Sequence, residues 1–327
     1  MAKPLAVRYR ERLPLAASTP IVSLGEGSTP LLHAPRLSER LGAEVWLKWE
    51  GANPTGSFKD RGMTVALSKA LEEGVRAVVC ASTGNTAASA AAYAARAGLP
   101  ALVLQPEGAV PLGKLVQARA LGARVLEVRG SFDEALSAAR ELAARGTHAL
   151  VNSLNPYRLE GQKTAAFELV EELGGPPDVL ALPYGGGGNT CAYFTGFDEA
   201  GAGLPRILAA QSSQRASTVA SAIRIAQPVH APQVQEALER SGGSIVSLSD
   251  DAILEAWRAL AQEEGVFCEP ASAAAVAALE VERPEPGARV VCVITGHGLK
   301  DPETAARLTP PPVVVDPDPD AIAEAAA

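Results

Sequence analysis

Short β-rich runs alternate with helical patterns along most of this chain, and that alternation decides the fold class before any motif is read. Strands are predicted at 44–50, 76–81, 101–105, 124–128 and 147–151, with helices at 58–73, 85–97, 112–121 and 132–145. A second round has a helix at 157–173, a strand at 178–182, a helix at 188–201, a strand at 206–211 and a helix near 217–225. It closes with strand 244–247, helices 250–264 and 271–280, and strand 289–294. Strands separated by helices imply a parallel sheet with helices on its faces. The expected class is α/β, with two open parallel-sheet domains and helices on both faces. The smaller domain spans 45–150, and the larger takes 1–44 with 151–315. After Pro310-Pro-Pro312, residues 316–327 read as a tail ending in a short helix at 320–326. Ligands of such folds bind in the cleft at the carboxyl ends of the strands.

Composition narrows the partners. The 327 residues are 47% hydrophobic and 20% charged, which is the balance of a globular protein with a substantial core. A net charge of −8 and the lack of any Lys/Arg run argue against a nucleic-acid surface. No segment reads as a membrane span, and the charged first residues do not read as a signal peptide, so the expected address is the cytoplasm. Cys80, Cys191, Cys268 and Cys292 lack metal-like spacing, and His33, His148, His230 and His297 form no helical ligand pair. No structural metal is expected.

Asn53-Pro-Thr-Gly-Ser-Phe-Lys59-Asp60-Arg61 is where the chain places its chemistry. Pro54 and Gly56 make a turn between a strand and a helix. Ser57 and Asp60 have the spacing of a capping box, which starts the helix at Ser57 and puts Lys59 in its first turn. The positive end of the helix dipole disfavours an ammonium there, so this lysine is suited to act as a nucleophile or base.

Three further loops stand out, two of them in the form of anion sites, although each taken alone also fits an ordinary capped element. Ser82-Thr83-Gly84-Asn85-Thr86 joins a strand to an alanine-rich helix, with hydroxyls at Ser82, Thr83 and Thr86 beside unpaired helix N–H groups. Gly185-Gly186-Gly187-Gly188-Asn189-Thr190 lets the backbone approach an anion closely, yet lacks the ending of a P-loop and the spacing of a dinucleotide site. The strand Val290–Ile294 delivers Thr295-Gly-His-Gly-Leu-Lys-Asp301. Arg158, in Asn152-Ser-Leu-Asn155-Pro-Tyr-Arg158, and Lys114 are candidates for binding a phosphoryl group.

Taken together, these blocks resemble the fold-type II (tryptophan synthase β-like) pyridoxal-phosphate (PLP) enzymes over about residues 20–310, and among them most resemble the threonine synthases. The resemblance implies that Lys59 holds PLP as an imine and that Asn85 faces its phenolic oxygen. It further implies that Gly185, Gly186, Gly187, Gly188 and Asn189 cup its phosphate, while Thr295 meets the pyridine nitrogen. The 82–86 loop would take the substrate carboxylate, and Lys114, Asn152 and Arg158 would contact a phosphorylated amino acid. A homodimer is implied as well. Two departures stand out: Gly186 replaces a typical Asn, and Ala226-Gln227-Pro228 replaces a typical Gly-Asn-Pro. An all-glycine cup resembles that of serine/threonine dehydratases. The expected reaction is therefore elimination of phosphate at Cγ of O-phosphohomoserine with water addition at Cβ. A serine/threonine ammonia-lyase, or a catalytically silent PLP carrier, is the alternative.

Overall fold

A computed structural model describes residues 3–108 and 115–326. The strands are β1 (Leu31–His33), β2 (Glu44–Trp49), β3 (Ala77–Ala81), β4 (Ala101–Pro106), β5 (Arg124–Val128), β6 (His148–Leu150), β7 (Val179–Pro183), β8 (Arg206–Ser212), β9 (Ser244–Leu248) and β10 (Arg289–Ile294). The helices are α1 (Leu5–Arg8), α2 (Pro35–Leu41), α3 (Lys59–Glu72), α4 (Asn85–Ala97), α5 (Val116–Ala120), α6 (Phe132–Ala144), α7 (Pro156–Leu173), α8 (Gly188–Ala200), α9 (Ala231–Ser241), α10 (Asp250–Gln262), α11 (Pro270–Val281), α12 (Pro302–Leu308) and α13 (Pro319–Ala326).

Two sheets form, ordered β1-β2-β10-β7-β8-β9 and β5-β4-β3-β6. Every pairing is parallel except the short antiparallel contact of β1 with β2. The inner strands read as continuous apolar runs because helices cover both faces. On one face of the larger sheet α2, α10 and α11 pack over β7, β8 and β10. On the other, α7, α8 and α9 bury Tyr193, Phe197 and Leu238. The smaller sheet lies between α3 and α4 on one side and α6 on the other.

Four expectations need correction. Residues 44–49, expected to open the smaller domain, instead run parallel to β10 in the larger sheet. The helix expected near 217–225 is only a 3-10 turn at Ser221–Ile223, and the helix of this region is α9, farther on. Of the helix expected at 112–121, α5 forms only Val116–Ala120, and residues 112–114 lie outside the described ones. The capping box at Ser57 does not form. Helix α3 begins at Lys59 with Phe58 as its cap residue and no side-chain cap. Asp60 instead accepts hydrogen bonds from the Thr55 N–H (2.7 Å), the Thr55 hydroxyl (2.6 Å) and the Ser89 hydroxyl (2.6 Å).

Helices α3 and α7 approach backbone to backbone. A Cβ at Gly161 would stand 2.0 Å from the Arg61 carbonyl oxygen, and one at Gly62 would stand 2.5 Å from that of Arg158. Beside this crossing a buried ionic cluster joins β2, α3 and α7. Arg61 bonds both oxygens of Glu50 (2.7 and 2.8 Å) and both of Glu168 (2.7 Å each), while Lys48 reaches Glu168 at 3.1 Å. Burial alone would raise the Glu168 pKa, but the Arg61 charge and hydrogen bonds, with Lys48, hold it at about 2. The cluster fixes the first turn of α3, and Lys59 with it.

Candidate active site

The sequence-predicted segments converge at the carboxyl ends of the parallel strands, where an open α/β cleft takes its ligand. The turn before Lys59 is zipped to the segment after β10. Phe58 N–H donates to the Thr295 carbonyl (3.1 Å), and His297 N–H donates to that of Gly56 (2.9 Å). Gly56 makes this possible at φ +85°. Residues 236 apart in sequence, Lys59 and Thr295, thus share one floor.

Lys59 lies with its amine 4.1 Å from the centre of the Phe58 ring, and among the described residues no carboxylate pairs with it. Burial and the neighbouring Arg158 charge lower its pKa to about 7, against an upward pull from Glu269. A substantial fraction of such an amine is unprotonated at neutral pH, as a nucleophile requires. Arg158 is itself buried. Its Nη1 donates to the Val151 carbonyl (2.7 Å), and its Nε has no acceptor. Burial lowers its pKa to about 10.

The glycine cup follows β7 and opens α8, with Gly187 in the left-handed region at φ +91°. Among the described residues no oxygen accepts from the N–H groups of Gly186, Gly187 or Gly188. Asn189 Nδ2 and the Thr190 hydroxyl nearby are buried and unpartnered as well. Unspent donors at a helix amino terminus suit a phosphate. A Cβ at Gly186 would meet only Ile225 Cδ1, at the ordinary contact distance of 3.5 Å.

The Thr295 hydroxyl is buried and lies 2.8 Å from that of Ser272, which also accepts the Gly296 N–H (3.0 Å). At the start of α4, Asn85 Nδ2 donates to both oxygens of the buried Glu269 at 3.0 Å. Burial raises the Glu269 pKa, opposed by Asn85 and by the charges of Lys300 and Lys59. Glu269-Pro-Ala-Ser272 reads in the sequence as a helix opening that matches the family pattern, but without a role in the site for either Glu269 or Ser272. The Pro270 helix start between them was the available signal. The Ser82 hydroxyl accepts the N–H groups of Gly84 (3.3 Å) and Ala87 (3.2 Å), so it takes up some of the donors of its own loop. Thr83 and Thr86 stay half-buried at the same helix start.

Asn152 is placed differently from a substrate contact. Its amide oxygen accepts the Ala81 N–H (3.0 Å) and its amide nitrogen donates to the Ala81 carbonyl (2.7 Å), pinning the end of β6 to β3. Lys114 lies outside the described residues. A separate cleft of about 570 Å³ between Glu44, Trp46, Glu172 and Arg289 sits at the opposite, amino ends of β2 and β10 and holds none of these groups. Among the described residues there is no cluster of His, Cys, Asp and Glu fit to hold a metal, and no helix is long and apolar enough to cross a membrane.

A lysine amine of lowered pKa, a glycine turn with unspent N–H donors at a helix start and a hydroxyl at a strand end together fit one cofactor, PLP. The family described as "pyridoxal-phosphate dependent enzyme" matches residues 22–296, and the chain belongs to it. Its similarity to particular relatives is closer still. It is 50% identical to the threonine synthase of Halalkalibacterium halodurans over 320 residues, covering 92% of this chain and 90% of that one. It is 52% identical to the threonine synthase of Synechocystis over 319 residues, covering 91% and 84%. Among solved structures, a threonine deaminase from T.th. superposes with a TM-score of 0.69 at 29% identity, covering 82% of this chain and 92% of that one. The protein is therefore a fold-type II, PLP-dependent enzyme.

Proposed function

We propose that the chain is a threonine synthase, converting O-phosphohomoserine and water to threonine and phosphate. Relatives of that name at about half identity over nine-tenths of the chain support the reading. The observation in the site that carries it is Arg158, a buried cation beside Lys59 whose Nε has no acceptor and which, among the described residues, no carboxylate bonds, Asp60 acting on it only at longer range. A substrate with a phosphate of its own needs an anion site besides the cofactor's cup, and free serine or threonine does not.

PLP, when bound, supplies the electron-withdrawing ring that makes the Cα proton of an attached amino acid removable. The chain supplies the rest. Lys59 anchors the cofactor and then serves as base and acid, taking the Cα proton and handling those at Cβ and Cγ. Its pKa near 7 lets it do both at neutral pH. The N–H groups of Gly185 through Asn189 hold the cofactor phosphate. The Thr295 hydroxyl, oriented by Ser272, would offer the ring nitrogen an uncharged partner, which would favour elimination over deeper carbanion chemistry. Asn85, whose amide nitrogen donates to Glu269, would stand beside the phenolic oxygen. Ser82, Thr83 and Thr86 at the amino end of α4 take the carboxylate, and Arg158 with Lys114 takes the substrate phosphate. Asn152 acts through the turn it pins. We place the enzyme in the cytoplasm as a homodimer, which sedimentation measurements would test.

Product analysis decides the reaction. The pure holoenzyme, offered O-phosphohomoserine, serine and threonine in parallel, should release threonine and phosphate from the first. Pyruvate or 2-oxobutyrate from the other two, with no turnover of the first, would make it an ammonia-lyase. The all-glycine cup is the feature that favours that second reading.

A further inference from the structure

Arg215 stands behind the glycine cup in an unusual bonding state. Its Nη2 donates to the Gly185 carbonyl (2.6 Å), its Nε to the Ile225 carbonyl (2.9 Å), and its Nη1 to the Tyr184 carbonyl (3.4 Å) and the Gln211 side-chain oxygen. The guanidinium also lies 4.7 Å from the centre of the Tyr184 ring. Each of these acceptors is neutral, and among the described residues no carboxylate pairs with it. A half-buried cation without a counter-charge therefore sits one peptide away from the proposed phosphate site.

The peptide geometry carries its effect into the cup. In a trans peptide the carbonyl of one residue and the N–H of the next point in opposite directions. Arg215 holds the Gly185 carbonyl outward, and the His230 N–H holds the Gly186 carbonyl outward at 3.1 Å. The N–H groups of Gly186 and Gly187 are thereby aimed the other way, into the cup. A carbonyl bonded to a cation polarises its own peptide, which makes the attached N–H a stronger donor to an anion. The same guanidinium braces the segment 222–225, which lies against Gly185, where a Cβ would meet Ile223 Cα at 3.2 Å. Gly186, which has no side chain to offer a phosphate, thus gains donor strength through its backbone.

We propose that Arg215 is a positioning residue for the phosphate of the cofactor, acting through the Gly185–Gly186 peptide and not by direct contact. The inference rests on the reading of Gly185–Gly188 as the phosphate cup. Its test compares PLP with pyridoxal, the same aldehyde without the phosphate, each titrated into apoprotein and followed by the visible band formed at Lys59. Inorganic phosphate serves as competitor. Wild type should prefer PLP strongly, and Arg215→Met and Arg215→Gln should raise the Kd for PLP about tenfold or more, the scale of one charge-assisted hydrogen bond. Binding of pyridoxal should stay unchanged. Arg215→Lys, which keeps the charge, should recover most of the preference, and it remains informative should the neutral variants fold poorly. An unchanged Kd for PLP, or equal losses for PLP and pyridoxal, would overturn the role of Arg215 while leaving the cup intact. Wild type binding both aldehydes alike, with no competition from phosphate, would overturn the cup and the inference together.

Discussion

Replacing Arg158 by Met tests the substrate assignment with a magnitude that the structure sets. Among the described residues the guanidinium has one bonded acceptor, the Val151 carbonyl at 2.7 Å, and its Nε is unpartnered. Removing it therefore orphans no carboxylate, and the loss to folding is that of one carbonyl left without a donor, about 1–3 kcal/mol. A charge-assisted bond to a substrate phosphate contributes about 1.5–3 kcal/mol. At about 1.4 kcal/mol per decade, kcat/KM for O-phosphohomoserine should fall ten- to a hundredfold. Any side activity on serine or threonine should remain nearly untouched, since those substrates have no phosphate to lose. A second readout is independent of turnover. Arg158 is among the charges that depress Lys59, so in the variant the Lys59 pKa should rise above about 7. The assay is steady-state kinetics on all three substrates, with thermal melts of each protein. Equal losses on phosphorylated and free substrates would refute the reasoning and make Arg158 a support of the α3–α7 crossing.

Other outcomes follow from the same geometry. In the apoprotein, acylation of Lys59 should rise with pH through a midpoint near 7 and not near 10.5, because burial favours the neutral amine, and peptide mapping across a pH series checks it. Borohydride reduction of the holoenzyme should fix the cofactor to Lys59, and a label on Lys69 or Lys163 would overturn the assignment. Glu168→Gln should destabilise the fold by about 3–5 kcal/mol in denaturant titrations, as expected when one member of a buried ionic cluster is removed. In wild type the stabilisation from Glu168 is present above its ordinary value of 4.5 and is lost as pH falls towards about 2, so the variant's acid profile should be flatter in that window. Gly161→Ala should lower the melting temperature sharply, since its Cβ would fall 2.0 Å from backbone, and full stability in that variant would mean that the helices can separate at little cost.

The sequence by itself determined the class of fold. Apolar runs of strand length and alanine-rich helical stretches are local signals, so α4 at Asn85–Ala97 and β10 at Arg289–Ile294 stand where periodicity put them. The glycine turn at Gly185–Gly188 and the turn before Lys59 could be read for the same reason, since their backbone demands are written in adjacent residues. Tertiary structure alone decided which partners each group would have. An amphipathic strand looks the same in either sheet, so only the assembled core puts β2 beside β10. Ser57 and Asp60 have a capping spacing, but Ser89, 29 residues away, takes part in claiming Asp60. Glu269 becomes a partner of Asn85, and Arg215 of the Gly185 carbonyl, across 184 and 30 residues of chain. Hydrogen bonds and charges act over a few ångströms of space whatever the distance along the sequence, and the folding of the two sheets against one another sets those distances.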